Sequence, residues 1–300
     1  MNTMKNFISM IFLLILLLVF HNETITGTQN GLLLWYQTLI PSLLPFILIT
    51  NALSETNAYQ SVTMLFRNHP SNHIYEIMAI MLGNLCGYPI GGKIINDFVK
   101  NGYLSSNQAN NLLSLSSQAS PMFLIGYVHL HILKNDIPLF VFLLSIYLPV
   151  LFFYPFFLYK NKSGTSSHKT AVCRHPNNCV CDTFLHAVQI MVMIGMYVII
   201  FSIFLEIVLP FCNFTPAKIL LSFCEITTGL KLLNSLPLST CLKTAFLCAL
   251  SSFGGLCSAF QIKGVLHYTG ASIKKYLLDK FFLSAGTFLI IFCYLKFFFH

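Results

Sequence analysis

Charge is what this chain lacks most. Asp, Glu, Lys and Arg make up 9% of its 300 residues, where an ordinary soluble domain carries roughly 25%. A soluble fold needs polar groups to cover its exterior. Here 56% of the residues are hydrophobic and the mean hydropathy is +0.73. Lipid removes the requirement, because the outer surface can itself be apolar. The chain is therefore read as a polytopic integral membrane protein whose first partner is the bilayer.

Other absences narrow the function. There is no G-x-S-x-G, H-E-x-x-H or Walker sequence, so the chain is expected not to be an enzyme and to need no cofactor. No basic stretch is interleaved with aromatics, and no nucleic-acid partner is expected. The net charge of +8 comes from 17 basic and 9 acidic residues. It sits mainly in the connections, where positive residues set topology.

The 10 cysteines are scattered. Cys86, Cys224, Cys248, Cys257 and Cys293 fall in apolar segments, where cysteine acts as a small hydrophobe. Cys173, Cys179 and Cys181, with His168 and His175 nearby, form the one concentration, but they lack the Cys-x2-Cys pair of zinc knuckles, so no metal is expected. No A-x-A-like cleavage site follows the apolar run Phe7–Phe20, which is shorter than the roughly 20 residues of a full span. A signal anchor or short first helix is expected there.

What is present reads as an all-α membrane fold of about seven to nine membrane elements, some broken or re-entrant, with a two-fold internal repeat. Residues 1–30 are an N-terminal anchor helix and linker, 31–159 a first membrane half, 160–183 a basic cytoplasmic loop by the positive-inside rule, and 184–300 a second half. Leu32–Leu53 is interrupted by Pro41 and Pro45 and is expected to be kinked or broken. Ile74–Leu82 runs into Gly-Asn-Leu-Cys-Gly-Tyr-Pro-Ile-Gly-Gly at 83–92. Ser105-x-x-Gln108 reads as a capping box opening a serine-rich helix that continues to Ile132.

Spans follow over Ile137–Tyr159 and Phe184–Leu209, then a shorter helix, Ile219–Leu233, bearing Glu225. Leu242–Gln261 is broken at 251–255, and Lys263, Lys274, Lys275 and Lys280 lead into a last span, Tyr276–Phe297. In the repeat, Gly91-Gly92-Lys93 is matched with Gly254-Gly255 and Lys263. Repeated halves with interrupted helices mark secondary transporters.

Lipid offers freed backbone groups no partners, so a broken helix survives where protein or water meets them. Candidate binding residues are therefore Asn84, Gly87, Pro89, Gly91, Gly92 and Lys93 at the first break, and Ser252, Gly254, Gly255 and Gln261 at the second. Half-helix N-termini there favour anions, with Lys93 adding charge. The same glycines serve equally for close helix packing. Ser116, Ser117 and Ser120 share one face at helical spacing, and Gln118 beside them needs a partner. Such hydroxyls also commonly bond the carbonyl one turn back. Glu225 is an intramembrane carboxylate, with Ser222 and Thr228 on its face by spacing. Glu206, one turn before Pro210, reads as interfacial.

At these residues the chain resembles the YlbJ-type sporulation integral membrane proteins, which carry a nucleoside-recognition or Gate domain. The pieces are Gly31-Leu-Leu-Leu-Trp-Tyr, Pro41-Ser-Leu-Leu-Pro45-Phe, Gly87-Tyr-Pro-Ile-Gly-Gly-Lys93, Ser120-Pro-Met-Phe-Leu-Ile-Gly126, Glu225-Ile-Thr-Thr-Gly-Leu-Lys231 and Phe253-Gly-Gly-Leu256 with Gln261. The resemblance implies a bacterial membrane location, specifically the outer forespore membrane, kinship with concentrative nucleoside transporters, and movement of dipicolinate during sporulation. Where that family has an Asn-Asn pair before the Ser-Pro, this chain has Ser117-Gln118-Ala119. The expected function is a secondary transporter of a small polar or anionic solute, with a homo-oligomer kept open. A nucleoside transporter, or a membrane scaffold for spore-envelope assembly docking through the basic loop, is the alternative.

Overall fold

A computed structural model describes residues 2–55, 73–160 and 180–298. Among them every regular element is helical. Residues 161–179 of the basic central loop, with His168, Cys173, His175 and Cys179, and most of the polar connection 54–73 lie outside the described residues. The loop's last residues, Cys181 among them, already belong to the helix that starts at Val180. Four helical stretches are long and apolar enough to cross a membrane: His21–Ala52, Phe184–Phe211, Thr240–Val265 and Ile273–Phe298. Shorter apolar helices cover Met4–Val19, Ile74–Cys86, Pro121–Ile132 and Leu139–Pro155. This is a polytopic membrane architecture.

The order of elements repeats. After α1 (Asn2–Val19), the first half opens with one long rod, α2 (His21–Leu34) and α3 (Ile40–Glu55). Next comes a hairpin, α4 (Ile74–Cys86) packed along α5 (Ile90–Lys100). A broken helix follows: α6 (Ser106–Leu112), a non-helical stretch, then α7 (Pro121–Phe123), which continues as a wide π turn over Leu124–Ile132. A long helix, α8 (Leu139–Lys160), closes the half.

The second half has the same order. The long α9 (Val180–Val208) is followed by a hairpin, α10 (Thr215–Ser222) packed on α11 (Ile226–Ser235). A broken helix comes next, α12 (Thr240–Phe253) and α13 (Gly255–Val265), and the long α14 (Ile273–Phe298) ends it.

Three expectations change. Of the kink or break expected at Pro41 and Pro45, no break forms: the rod continues through them, with a π turn over Trp35–Leu39 just ahead. Ile219–Leu233 is not one helix but the two arms of a hairpin, with Glu225 at its tip. The counterpart of the Gly87–Pro89 tip is therefore Phe223–Glu225, and not Gly254-Gly255. The glycine pair instead corresponds to the unwound stretch after α6.

Side-chain placement follows the solvent each face meets. On α9, Phe184, Val188, Val192, Met196, Ile200 and Phe204 face outward, while Ala187, Met191, Ile194 and Val198 are buried. Each series recurs every three or four residues, giving one lipid-facing and one core-facing stripe. Gly27 and Gly31 let α2 approach α9 so closely that a Cβ would stand 2.6 Å from Ile203 Cα and 2.8 Å from Ile199 Cα. Small residues at such a contact let backbones meet in lipid. Trp35 donates its indole N–H to the Met191 carbonyl at 2.9 Å across the same contact. Glu206, half-buried, accepts from Asn30 of α2 at 2.9 Å.

Candidate functional site

Within each half the hairpin tip crosses the discontinuity of the broken helix. In the first half the Tyr88 amide donates to the Gln118 carbonyl at 3.1 Å, and the Gln118 amide donates to Asn84 Oδ1 at 3.3 Å. In the second, the Leu256 and Cys257 amides donate to the carbonyls of Phe223 and Cys224, each at 2.9 Å. Each break thus supplies partners for the other, which is how unwound backbone survives away from water.

The serine-rich segment is not helical through its length. The capping box forms as expected: Ser105 Oγ accepts from the Gln108 amide and Gln108 Oε1 from the Ser105 amide. Yet α6 stops at Leu112, and the chain regains helix at Pro121 with Ser120 as N-cap. The hydroxyl face predicted from helical spacing does not exist. The stretch instead lies in the crook of the α4–α5 hairpin. A Cβ on Gly83 would stand 2.2 Å from the Ser116 carbonyl oxygen, and one on Gly91 2.0 Å from it.

Glu225 caps α11. Its carboxylate accepts from the Thr227 amide at 3.0 Å and hydroxyl at 2.6 Å, and from the Thr228 amide and hydroxyl, each at 2.7 Å. Four donors and a helix N-terminus hold a carboxylate that is 1% exposed.

One small cavity lies where the crossings meet, with about 20 Å³ open to the centre of a water-sized sphere. Tyr88, Ser120, Glu225 and Gly254 come to it from the four discontinuities, each just ahead of a helix start. Leu39 at the end of the π turn, Leu43 of α3, and Ile194 and Val198 of α9 form an apolar wall. Phe123, Cys257, Ser258 and Gln261 complete the polar and aromatic side.

The residues singled out in the sequence are distributed as follows. Ser120, Glu225, Gly254 and Gln261 line the cavity. Thr228 and Asn84 stand behind it, bonding Glu225 and Gln118. Gly87 and Pro89 flank Tyr88 at the hairpin tip, with Pro89 as N-cap of α5. Gly91 packs on Ser116, and Gly92 on Ile262. Gly255, with φ +81°, packs on the α10–α11 tip. Lys93 points to α3, where it donates to Asn51 Oδ1, and does not line the cavity. Ser116 donates to the Leu113 carbonyl at 3.3 Å.

Ser117, Gln118 and Ser252 meet at a residue the sequence had placed among interfacial lysines. Lys280 is 0% exposed. Its Nζ donates to the Ser117 carbonyl at 3.0 Å, Gln118 Oε1 at 2.8 Å and the Ser252 carbonyl at 2.7 Å. A lysine four residues inside an apolar run was the available signal. Tyr88 and Phe123 carried none, because aromatics abound in lipid-facing segments. Among the described residues no three His, Cys, Asp or Glu side chains group so as to hold a metal.

Over 114 residues, 36% of the chain, the sequence is 24% identical to the sporulation integral membrane protein YlbJ of Bacillus subtilis (strain 168). The match spans 28% of that protein's length. No family model matches the chain, and no solved structure matches it.

Proposed function

We propose that the chain is a secondary transporter of a small polar or anionic solute, bound where the four discontinuities meet. The observation that supports this reading most is the convergence of four helix starts from both halves on one cavity. Helix N-termini carry partial positive charge and favour anionic groups. Discontinuous helices at the interface of two repeats are the usual place for a transporter's substrate. Glu225 caps one of the four starts, Ser120 caps another, and the Leu256 and Cys257 amides of a third bond Phe223 and Cys224. The start beside Tyr88 and the summed helix dipoles are therefore what the site offers a carboxylate or another electron-rich group.

Tyr88 and Phe123 bring aromatic rings to the cavity, and Ser120 and Gln261 offer polar contacts. That lining suits an aromatic ring bearing polar substituents. Dipicolinate fits the description, consistent with the partial similarity to a sporulation membrane protein and with export across the outer forespore membrane. A nucleoside fits the same aromatic rings, and a nucleoside-recognition Gate domain is the second reading.

The test is uptake by the full chain in proteoliposomes, with dipicolinate and uridine offered in parallel, with and without a proton gradient. Saturable flux of either supports transport and chooses between the two solutes. Flux no greater than in empty liposomes for both would sink the proposal.

A further inference from the structure

The transport reading makes no use of Lys280, yet no other cation in the described residues is so placed. It lies on α14 inside a long apolar span and is fully buried. Its three partners are neutral oxygens, two from the unwound stretch before α7 and one from the last turn of α12, next to the break. It therefore ties together the discontinuities of the two halves. An ammonium has three N–H donors and matches three acceptors; a neutral amine has two donors and a lone pair.

The surroundings provide for that second form too. Ser117 and Ser252 each give Lys280 a main-chain carbonyl, and each keeps a buried hydroxyl without a hydrogen-bond partner. Neither hydroxyl bonds Nζ as it stands, and a side-chain rotation would offer either one as the donor that an amine's lone pair needs. No carboxylate pairs with Lys280 among the described residues. Asp279 beside it on α14 is met by Ser114 at 3.4 Å, and Glu225 is satisfied by Thr227 and Thr228.

Titratable groups on the packed elements include Tyr276 on α14, Cys257 on α13, Cys241 and Cys248 on α12, and Tyr147 and Tyr154 on α8, with Lys274, Lys275, Cys293, Tyr294 and Lys296 toward the two ends of α14; none is its hydrogen-bond partner. Lys243 stands near the start of α12 and Lys263 near the end of α13, both remote in sequence from the breaks. A buried cation with neutral partners is costly in a membrane and marks ion or proton pathways.

We propose that Lys280 is the proton-carrying group of the transport cycle, an inference that rests on the transport reading. In the step, one Nζ–H bond breaks, the electron pair remains on Nζ, and the proton passes to water admitted from one side. The amine then holds two of its three acceptors and accepts from a serine hydroxyl. The lost contact loosens one broken helix from the other, so the charge on Lys280 biases which side is open. Reprotonation from the opposite side restores the third bond.

The full chain in proteoliposomes, with a pH-sensitive dye inside, tests this against an outward gradient of dipicolinate or uridine. Wild-type flux is expected to move protons. K280M and K280R are each expected to keep solute-for-solute exchange and lose proton movement, with K280R retaining a cation for the carbonyls. Proton movement undiminished in both variants, or wild-type flux without protons, overturns the proposal. Nitrogen-15 NMR of labelled lysines in the nanodisc-embedded chain reads Lys280 with no solute present. An amine signal that grows with pH and is missing from K280R is expected; an ammonium that persists until the fold is lost overturns the inference alone. Absence of all solute flux while Lys280 still titrates overturns the transport reading and the coupling role together.

Discussion

The carbonyl oxygen of Ser116 occupies the place where a Cβ on Gly91 would stand at 2.0 Å, and one on Gly83 at 2.2 Å. Two arms of a hairpin therefore close on the main chain of a third segment, and the closeness depends on the missing side chains.

Gly91→Ala is accordingly expected to force that backbone aside. Overpacking of this kind costs about 1–3 kcal/mol, seen as a lower thermal midpoint in detergent and a loss of flux. Gly92→Ala is the contrast, since its Cβ would meet only side chains, Ile262 at 3.2 Å and Val265 at 3.4 Å, and it should fold and transport nearly as the wild type. Equal behaviour of the two variants would refute the packing account.

Glu225→Gln keeps the shape and removes the charge. The threonine hydroxyls can turn to accept from the new amide, but the Thr227 and Thr228 amides can only donate. At least one backbone N–H loses its acceptor, a loss of about 1–3 kcal/mol. The expected result is reduced stability with strongly reduced flux. A variant as stable and as active as the wild type would rule out the capping and binding role together.

Ser120 lines the cavity and Ser116 is held inside the hairpin. In a background freed of reactive cysteines, Ser120→Cys should react with a small charged thiol reagent, and dipicolinate or uridine should slow the reaction. Ser116→Cys should react far more slowly. Indifference of Ser120→Cys to both solutes would place binding elsewhere.

The single tryptophan is a built-in reporter. Trp35 packs on Gly195 so tightly that a Cβ there would come within 2.7 Å of the ring. Gly195→Ala should displace the indole, weaken its bond to Met191, lower stability by about 1–3 kcal/mol and change the emission spectrum. An unchanged spectrum would mean that the α2–α9 contact is looser than described.

Several features were legible before any coordinates. The charge deficit identified the membrane class, and the capping box at Ser105 and Gln108 was readable because both partners lie within one turn. Gly-Tyr-Pro-Ile-Gly-Gly announced a break, since glycine and proline act on their own backbone. The serine face and the position of Glu225 were misjudged for one reason. Helical periodicity was extended through stretches whose backbone bonds to distant segments instead of to itself. Lys280 was hidden by its neighbours: with Lys274 and Lys275 close by, it resembled the edge of a span.

By itself the sequence determined the solvent, the approximate spans and where the backbone would interrupt them. These follow from composition and from residue-local conformational limits. The tertiary structure decided which interruptions cross: Tyr88 on Gln118, Cys257 on Cys224, and Lys280 across Gln118 and Ser252. Unwound backbone in lipid must find its partners outside its own helix, and no local pattern says which distant segment supplies them.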